Sequence, residues 1–204
     1  MIILKLKRNY ADILIMNFFV NPLDKDKNNK NIDALVPTYI KPDGTKVIEK
    51  QEELGHSVYE ISPDGTVIMR GYNNHDIMIC DYVRSRNLEI GHQYDNTGKM
   101  FYEYNNLYDE HNELAKKIEK NYTYHDNGKK SSETTNLSPS NIKTIIKYDI
   151  NENRIEKTEQ RGAVKTWFDI NDKPIKREID RGSGGIITED LTGKKKKEPI
   201  SALF

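Results

Sequence analysis

The stretch Tyr94-Asp95-Asn96-Thr97-Gly98-Lys99 decides the fold, because the chain repeats its pattern. An aromatic residue is usually followed by Asp, and a turn-forming residue stands four places after the aromatic. Units this short cannot bury a hydrophobic face alone, so the pattern predicts an array in which neighbouring units pack on one another. Further copies begin at Tyr108, Tyr124, Tyr148 and Phe168, and two upstream copies with an aliphatic first residue begin at Ile40 and Ile61.

Each copy predicts the tip of a β-hairpin. Asn-Gly, Asp-Gly and Thr-Gly pairs supply the residue with positive φ that tight hairpin turns require. In the two upstream copies, Pro42 and Pro63 also fix φ ahead of the turn. Asn112, Glu152 and Asp172 replace the glycine, and there we expect a longer loop or a type I turn with a bulge rather than a two-residue turn.

The residues between the tips alternate with the period of a β-strand. From Ile142 to Ile150 the even positions are apolar or β-branched, and Val164, Thr166, Phe168 and Ile170 alternate with Lys165, Trp167 and Asp169. The fold class predicted is all-β: an antiparallel β-hairpin repeat array that forms an open, twisted or curved sheet. The most apolar strands, at 66–70 and 77–83, are expected to be the best buried, and an extra hairpin is expected between 65 and 98.

The tips resemble a known class of bacterial repeat. The Tyr-Asp-x-x-Gly phrase among short alternating strands resembles YD-repeat, or Rhs-like, proteins, and the copy from Tyr124 to Lys130 is similar to MORN-like and YwqK-type antitoxin repeats. The resemblance covers roughly residues 39–179. It implies a β-hairpin repeat fold, and it implies that a small stand-alone member would be an immunity or antitoxin partner of a bacterial toxin.

Three regions follow from the pattern. Residues 1–38 are an N-terminal segment with a polar linker, 39–180 are the YD-like β-hairpin repeat domain, and 181–204 are a Gly/Lys-rich tail. The apolar run at 13–20 has the outline of a signal segment but lacks a small-x-small cleavage site, so we expect a cytoplasmic protein, with a secreted or surface location as the alternative. The polar stretch 131–141 is expected to be the longest loop of the array.

Composition excludes some classes of partner. The 204 residues carry 32 Lys and Arg against 32 Asp and Glu, so the net charge is zero. Nucleic-acid and anionic membrane surfaces attract chains with a basic excess, so neither partner is expected. The single cysteine, Cys80, excludes an intramolecular disulfide framework and is expected to be a small buried apolar residue.

The candidate chemical residues are better explained by structure than by catalysis. The five histidines have no spacing that one strand or helix would use to hold a metal. The Asp before each turn recurs at one place because its carboxylate can accept backbone N–H groups there. Asp24-x-Asp26-x-Asn28 and Asp149-x-Asn151-x-Asn153 resemble the start of a calcium loop but lack the rest of it. We therefore predict no enzyme, no cofactor and no metal.

The predicted function is the binding of a protein partner through aromatic residues that the sheet presents. A toxin domain is one candidate for that partner. The predicted binding residues are Trp167, Tyr102, Tyr104 and Tyr122. Trp167 lies opposite the apolar face of its strand, and an aromatic flanked by charges is typical of an interface. Two alternatives stay open: Trp167 packs under the 131–141 loop or against the tail, and the protein is a small cell-surface Rhs-like repeat protein that binds carbohydrate.

Overall fold

The computed structural model describes residues 36–193, and within that range the fold is all-β. The chain divides between Met100 and Phe101 into two compact units. In the first unit six strands follow one another as an antiparallel meander. They are β1 (Tyr39–Ile40), β2 (Lys46–Glu52), β3 (Gly55–Ile61), β4 (Val67–Asn73), β5 (Met78–Arg84) and β6 (Leu88–Tyr94).

The second unit continues the same plan with eight strands, each paired antiparallel with its neighbours in sequence. They are β7 (Met100–Tyr108), β8 (Leu114–Tyr124), β9 (Lys130–Ser138), β10 (Ile142–Tyr148), β11 (Arg154–Arg161), β12 (Val164–Phe168), β13 (Pro174–Asp180) and β14 (Ile186–Asp190). The sheet is open, so the predicted antiparallel hairpin array with an open sheet is confirmed. No helix in residues 36–193 is long and apolar enough to cross a bilayer.

The repeated motif forms the hairpin tips, as predicted, and all of them share one turn hydrogen-bond pattern. At the Asp95 tip the Asp95 N–H donates to Lys99 O at 2.8 Å and the Gly98 N–H donates to Asp95 O at 2.9 Å. The fourth residue of the tip has positive φ both where it is glycine, as at Gly98 (79°), and where it is not, as at Glu152 (68°). This hydrogen-bond pattern is that of a three-residue loop, a type I turn followed by a left-handed residue. The type I turn with a bulge expected at Asn112, Glu152 and Asp172 is therefore confirmed, and the two-residue turn expected at the glycine copies is wrong, because both kinds of copy form the same three-residue loop.

The long interval between Gly65 and Gly98 contains two additional hairpin turns, which confirms the extra hairpin. One is a further tip at Asn73, where the Asn73 N–H donates to Ile77 O at 3.0 Å and Asp76 has φ of 57°. The other is the turn between β5 and β6, closed by the Ser85 N–H donating to Leu88 O at 2.9 Å. Sequence reasoning missed the Asn73 tip because Asn replaces Asp and Asp replaces Gly.

The aromatic residue before a tip marks a β-bulge. At Tyr72, Tyr108, Tyr124, Tyr148 and Phe168 the pairing register shifts by one residue as the chain enters the tip. The two tips that follow an aliphatic residue, at Ile40 and Ile61, keep their register. A bulge adds one residue to one strand and increases the local twist, so the two classes of tip impose different local geometry on their hairpins.

The stretch 131–141 is not a long loop. Residues up to Ser138 belong to β9, which pairs with β8 on one side and β10 on the other. Thr134 and Thr135 favour strands because they are β-branched. A polar strand is compatible with an open sheet, since its two neighbours satisfy the backbone while its side chains remain partly exposed on both faces.

The array also extends beyond the predicted boundary at residue 180. A single 3-10 turn at Gly182–Gly184 leads into β14, which pairs with β13 through Asp190. Five residues of the expected tail, Ile186–Asp190, therefore form a strand. The predictions for the N-terminal segment, the Asp24 motif and the tail beyond Gly193 fall outside the described residues.

The apolar core lies in the first unit, on the strands predicted to be best buried. Val67, Met69, Cys80 and Tyr82 are each 5% exposed or less, and Ser57 beside them is fully buried. In the second unit the described buried side chains are Tyr104, Tyr122 and Thr158. The second unit thus relies more on strand pairing and polar contacts than on a wide apolar core.

Candidate functional site

The pairing register shows which side chains share a face with Trp167 in the second unit. Residues directly opposite one another on paired strands project to the same side of a sheet. Thr158 on β11 and Lys176 on β13 lie directly opposite Trp167 on β12. We call this side the Trp167 face. Its members on β10 to β13 include Lys143, Ile145, Thr158, Gln160, Lys165, Trp167, Lys176 and Glu178.

Two lysines lie against the Trp167 ring. The Lys165 Nζ is 4.6 Å and the Lys176 Nζ is 4.5 Å from the ring centroid, so both ammonium groups make cation–π contacts. The ring is itself half-buried, and Thr158 next to it is only 3% exposed. The contacts hold the indole in place while leaving part of it and both ammonium groups on the surface.

The predicted orientation of Trp167 agrees with the register. Val164, Thr166 and Phe168 project to the other face of the sheet, because successive side chains of a strand alternate. The alternative in which Trp167 packs under a 131–141 loop is excluded, since β9 occupies most of that stretch. Of the expected tail, Ile186–Asp190 forms β14 and pairs with β13, while the residues beyond Gly193 lie outside the described range.

Tyr102 and Tyr104 project to the Trp167 face but lie far from Trp167. Tyr102 occupies the same cross-strand row, five strands away, which is roughly 24 Å at about 4.8 Å per strand. The Tyr102 hydroxyl donates to Glu119 Oε1 at 2.7 Å. The ring centroids of Tyr102 and Tyr104 lie 6.1 Å apart. Burial first, and then the Glu119 carboxylate, raise the pKa of Tyr102 above its usual range. These tyrosines therefore form a cluster separate from Trp167.

Tyr122 projects to the opposite face. Its ring lies under Lys130, with the Nζ 4.4 Å from the centroid, and that ammonium group also contacts Glu133 at 3.0 Å. Burial first, and then Glu103, raise the pKa of Tyr122 above its usual range. Tyr104 is 9% and Tyr122 is 8% exposed, so the expectation that the sheet presents both of them to a partner is wrong. Each ring is covered by its neighbours instead.

Lys165 and Lys176 are the residues that sequence reasoning did not include in the site. Lys165 could have been found, because it stands two residues before Trp167 on the same face. Lys176 could not, because its contact with the ring depends on the pairing of β12 with β13 and on the bulge between them. Lys143, exposed two strands away on the same face, adds a third ammonium group.

The recurring carboxylates have structural roles. Asp149 Oδ1 accepts the N–H groups of Asn151 at 2.9 Å and of Asn153 at 2.8 Å. The hydrogen bonds from the Asn153 side chain and backbone hold the pKa of Asp149 below its ordinary value. Asp169 accepts Asn171 and Lys173 N–H groups in the same way. The tip carboxylates thus close turns rather than converge on one centre.

Neighbouring tips of the second unit are also joined to one another. The Arg154 guanidinium donates to the backbone oxygen of Asp169 and to Asp172 Oδ1, both at 2.8 Å. Lys157 contacts the same carboxylate at 2.8 Å. These contacts join the start of β11 to the next tip along the same end of the sheet, and they lower the pKa of Asp172.

In the first unit, His92 and Cys80 are the side chains whose chemistry is relevant to catalysis or metal binding. His92 Nδ1 lies 2.8 Å from Asp81 Oδ1, and the Tyr94 hydroxyl donates to the same oxygen at 3.2 Å. Burial raises the pKa of the Cys80 thiol to about 11, so it is not a nucleophile at neutral pH. Within residues 36–193, no group of three or more His, Cys, Asp or Glu is arranged to hold a metal ion.

Comparison with models of known protein families finds no match, and no curated protein matches the chain.

Proposed function

We propose that this chain is a non-enzymatic protein-binding β-repeat protein, and that the Trp167 face of its second unit contacts an acidic surface of a protein partner. The observation that carries the proposal is the half-exposed Trp167 ring held between the Lys165 and Lys176 ammonium groups. Trp is the residue type most enriched among residues that dominate binding energy, and a preordered side chain loses little entropy on binding.

The lysines determine the kind of partner. Lys165 has no carboxylate partner among the contacts of the described residues, while Lys176 contacts Glu178 at 2.6 Å. A partner carboxylate placed over the indole edge would reach both ammonium groups and would be partly desolvated by the ring. Charge-assisted hydrogen bonds of this kind are about twice as strong as neutral ones. An acidic protein surface therefore fits the site.

Carbohydrate is the weaker candidate for the same site. Sugars bind aromatic residues by stacking on the face of the ring. The Lys165 and Lys176 ammonium groups lie 4.6 and 4.5 Å from the Trp167 ring centroid, so they compete with a sugar for the ring. The resemblance of the tips to YD-repeat and YwqK-type repeats supports a bacterial toxin domain as the partner, bound in the cytoplasm. An intact Met1 on the mature protein is expected in that case, whereas cleavage after residue 20 would favour the cell surface.

The experiment compares charge reversals on the two faces of one sheet. Lys165→Glu and Lys176→Glu remove the cations at the site, and Lys116→Glu is the control, since Lys116 is exposed and pairs with Leu107 on the opposite face. A partner is first identified by pull-down and mass spectrometry from the source cells, and its dissociation constant is then measured by calorimetry.

We expect each site reversal to weaken binding by about tenfold or more, because a central charge contact contributes at least about 1.4 kcal/mol. Lys116→Glu should bind like the wild type. Unchanged affinity in the Lys165→Glu, Lys176→Glu double variant, with an unchanged melting temperature, would show that the partner binds elsewhere.

A further inference from the structure

An acidic side chain lies beside both lysines that contact Trp167. The Glu178 Oε1 atom is 2.6 Å from the Lys176 Nζ, two residues away on β13. In the pairing of β12 with β13, Glu178 also lies directly opposite Lys165, which places the two Cβ atoms about 5 Å apart. Glu178 is therefore a member of the Trp167 face that attracts the same ammonium groups as an acidic partner.

The ion pair between Glu178 and Lys176 is exposed enough to exchange. The Glu178 side chain is 29% exposed and the Lys176 side chain is 43% exposed. An exposed ion pair contributes little to stability, because water and salt weaken the attraction and both side chains lose conformational freedom. A carboxylate of a partner can therefore replace Glu178 beside Lys176 at little cost to the fold.

Acidic residues occupy one side of the Trp167 face. Glu178 is on β13, and Asp190 on β14 lies directly opposite Lys176. Two negative charges on the same side of the Trp167 ring repel an incoming anion, because like charges this close to one another interact unfavourably even in water. An acidic group of a partner is therefore disfavoured on the side of β13 and β14.

On β10 and β11 the Trp167 face is basic. Lys143 lies in the same cross-strand row as Lys165, with the uncharged Gln160 between them. The two lysine positions are roughly 10 Å apart, at about 4.8 Å per strand. Glu156 projects to this face two rows away and contacts Lys147 at 3.1 Å. An anion is therefore attracted to the ring from the side of β10 and β11.

We propose that Glu178 is a competitor built into the Trp167 face. Its carboxylate neutralises Lys176 in the free protein, and an acidic group of the partner displaces it on binding. The inference rests on the proposed function, and it narrows the partner class. A single carboxylate gains Lys165 but is repelled by Glu178, whereas several adjacent acidic residues reach Lys143 and Lys165 together and also displace Glu178. The partner surface that fits is therefore a cluster of acidic residues.

Fluorescence quenching tests the competitor without a partner. Trp167 is the only tryptophan of the chain, so its emission reports on this site alone. Iodide measures how strongly anions are attracted to the ring, and the neutral quencher acrylamide corrects for exposure. We expect Glu178→Gln to raise the iodide quenching constant, relative to that of acrylamide, about twofold, because a negative charge is removed at a diagonal position about 7 to 8 Å from Trp167.

Glu159→Gln is the matched control for the quenching experiment. Glu159 makes an ion pair of the same length, 2.6 Å to Arg161, but it pairs with Thr166 and therefore projects to the opposite face. Its ratio of iodide to acrylamide quenching should equal that of the wild type. No rise in Glu178→Gln, or an equal rise in the two variants, would overturn the proposal.

Peptide binding separates this inference from the proposed function. The probes are hexaglutamate and hexaglycine with one residue replaced by glutamate, each titrated into the full chain and followed by Trp167 emission. We expect the wild type to bind hexaglutamate at least about tenfold more tightly than the peptide with one glutamate. We expect Glu178→Gln to bind hexaglutamate about threefold more tightly than the wild type does, because no competing carboxylate remains beside Lys176.

The outcomes distinguish the two proposals. Hexaglutamate binding that Lys165→Glu abolishes, but that Glu178→Gln leaves unchanged or weakens, would overturn the inference and leave the proposed function standing. Equal affinity for the two peptides would overturn the acidic cluster as the partner class. Hexaglutamate binding that Lys165→Glu does not weaken would overturn both proposals, and so would the absence of binding to the wild type and to Glu178→Gln.

Discussion

At the scale of single residues, the fourth position of each tip is left-handed whatever the residue. Glu152 adopts φ of 68° at a position that glycine occupies in other tips, with φ of 79° at Gly98. A left-handed backbone costs an L-residue about 1 to 2 kcal/mol, while glycine loses about 0.5 to 1 kcal/mol more conformational entropy on folding. Non-glycine tips therefore retain strain that the shared hydrogen bonds must offset.

The first prediction is that Glu152→Gly stabilises the second unit by about 0.5 to 1 kcal/mol, because it removes that strain. The measurement is the free energy of unfolding from urea titration. Gly98→Val is the opposite control, and it should destabilise its hairpin by about 1 to 3 kcal/mol, since a β-branched residue fits poorly at positive φ. A loss of stability in Glu152→Gly would show that the Glu152 side chain contributes more than the strain it imposes.

Acid should weaken the tips through their carboxylates. Hydrogen bonds from Asn153 hold the pKa of Asp149 below its ordinary value of 3.8, and a hydrogen bond from Lys157 does the same for Asp172. A group whose pKa is lower in the folded state stabilises the protein above its unfolded pKa, and the contribution is lost as the pH falls through the folded pKa.

The second prediction is therefore a urea midpoint that is steady from about pH 7 to 5 and falls below about pH 4. Asp149→Asn keeps an oxygen that accepts the two N–H groups but cannot titrate, so its midpoint should fall less on acidification. Identical acid losses in the variant and the wild type would mean that the tip carboxylate does not contribute to the pH dependence.

Sequence predicted the tip residues well, because a turn is a local structure fixed by a few neighbouring residues. It predicted the tyrosines poorly. Tyr104 and Tyr122 alternate with polar residues as surface tyrosines do, and their burial depends on Glu119 and Lys130 from neighbouring strands. The Lys176 contact with Trp167 could not be predicted either, because it also depends on a neighbouring strand. The bulge in the β12–β13 pair determines which residue of β13 lies opposite the ring.

At the scale of elements, β9 shows what stabilises a strand in an open sheet. Every residue of β9 is half-exposed, yet the strand is paired along both sides. Its polar composition suggested a loop, because a hydrophobic pattern indicates only whether one face of a strand is buried. It does not indicate whether the backbone of the strand is hydrogen-bonded to neighbours on both edges. The hairpin tip at 125–129 and the short turn at 139–141, at the two ends of β9, place it in register with β8 and β10 without any apolar face.

The third prediction is that Thr135→Pro destabilises the second unit by about 3 kcal/mol or more, since proline removes a ladder hydrogen bond from a strand paired on both sides. Ser140→Ala in the short loop after β9 is the control and should change stability by less than about 1 kcal/mol. Circular dichroism melts give the comparison. Tolerance of Thr135→Pro would favour the loop that the composition suggested.

At the scale of the whole molecule, the two units have different sources of stability. In the first, Met69 is 3% exposed and lies directly between Tyr59 and Tyr82 on neighbouring strands. In the second, Ile146 lies between Glu133 and Lys157 and is half-exposed. The repeated tip motif therefore builds hairpins in both units, while the burial of apolar side chains is concentrated in the first.

The last prediction compares the same kind of truncation in each unit. Met69→Ala should cost about 2 to 4 kcal/mol, because it removes a buried side chain and leaves a cavity. Ile146→Ala should cost about 1 kcal/mol, because the side chain is only partly removed from water in the folded state. Hydrogen exchange measures each effect within its own unit, at the amides of β3 to β5 for the first and of β9 to β11 for the second. Equal losses would show that Ile146 is packed as well as Met69, and that apolar burial rather than strand pairing stabilises the second unit too.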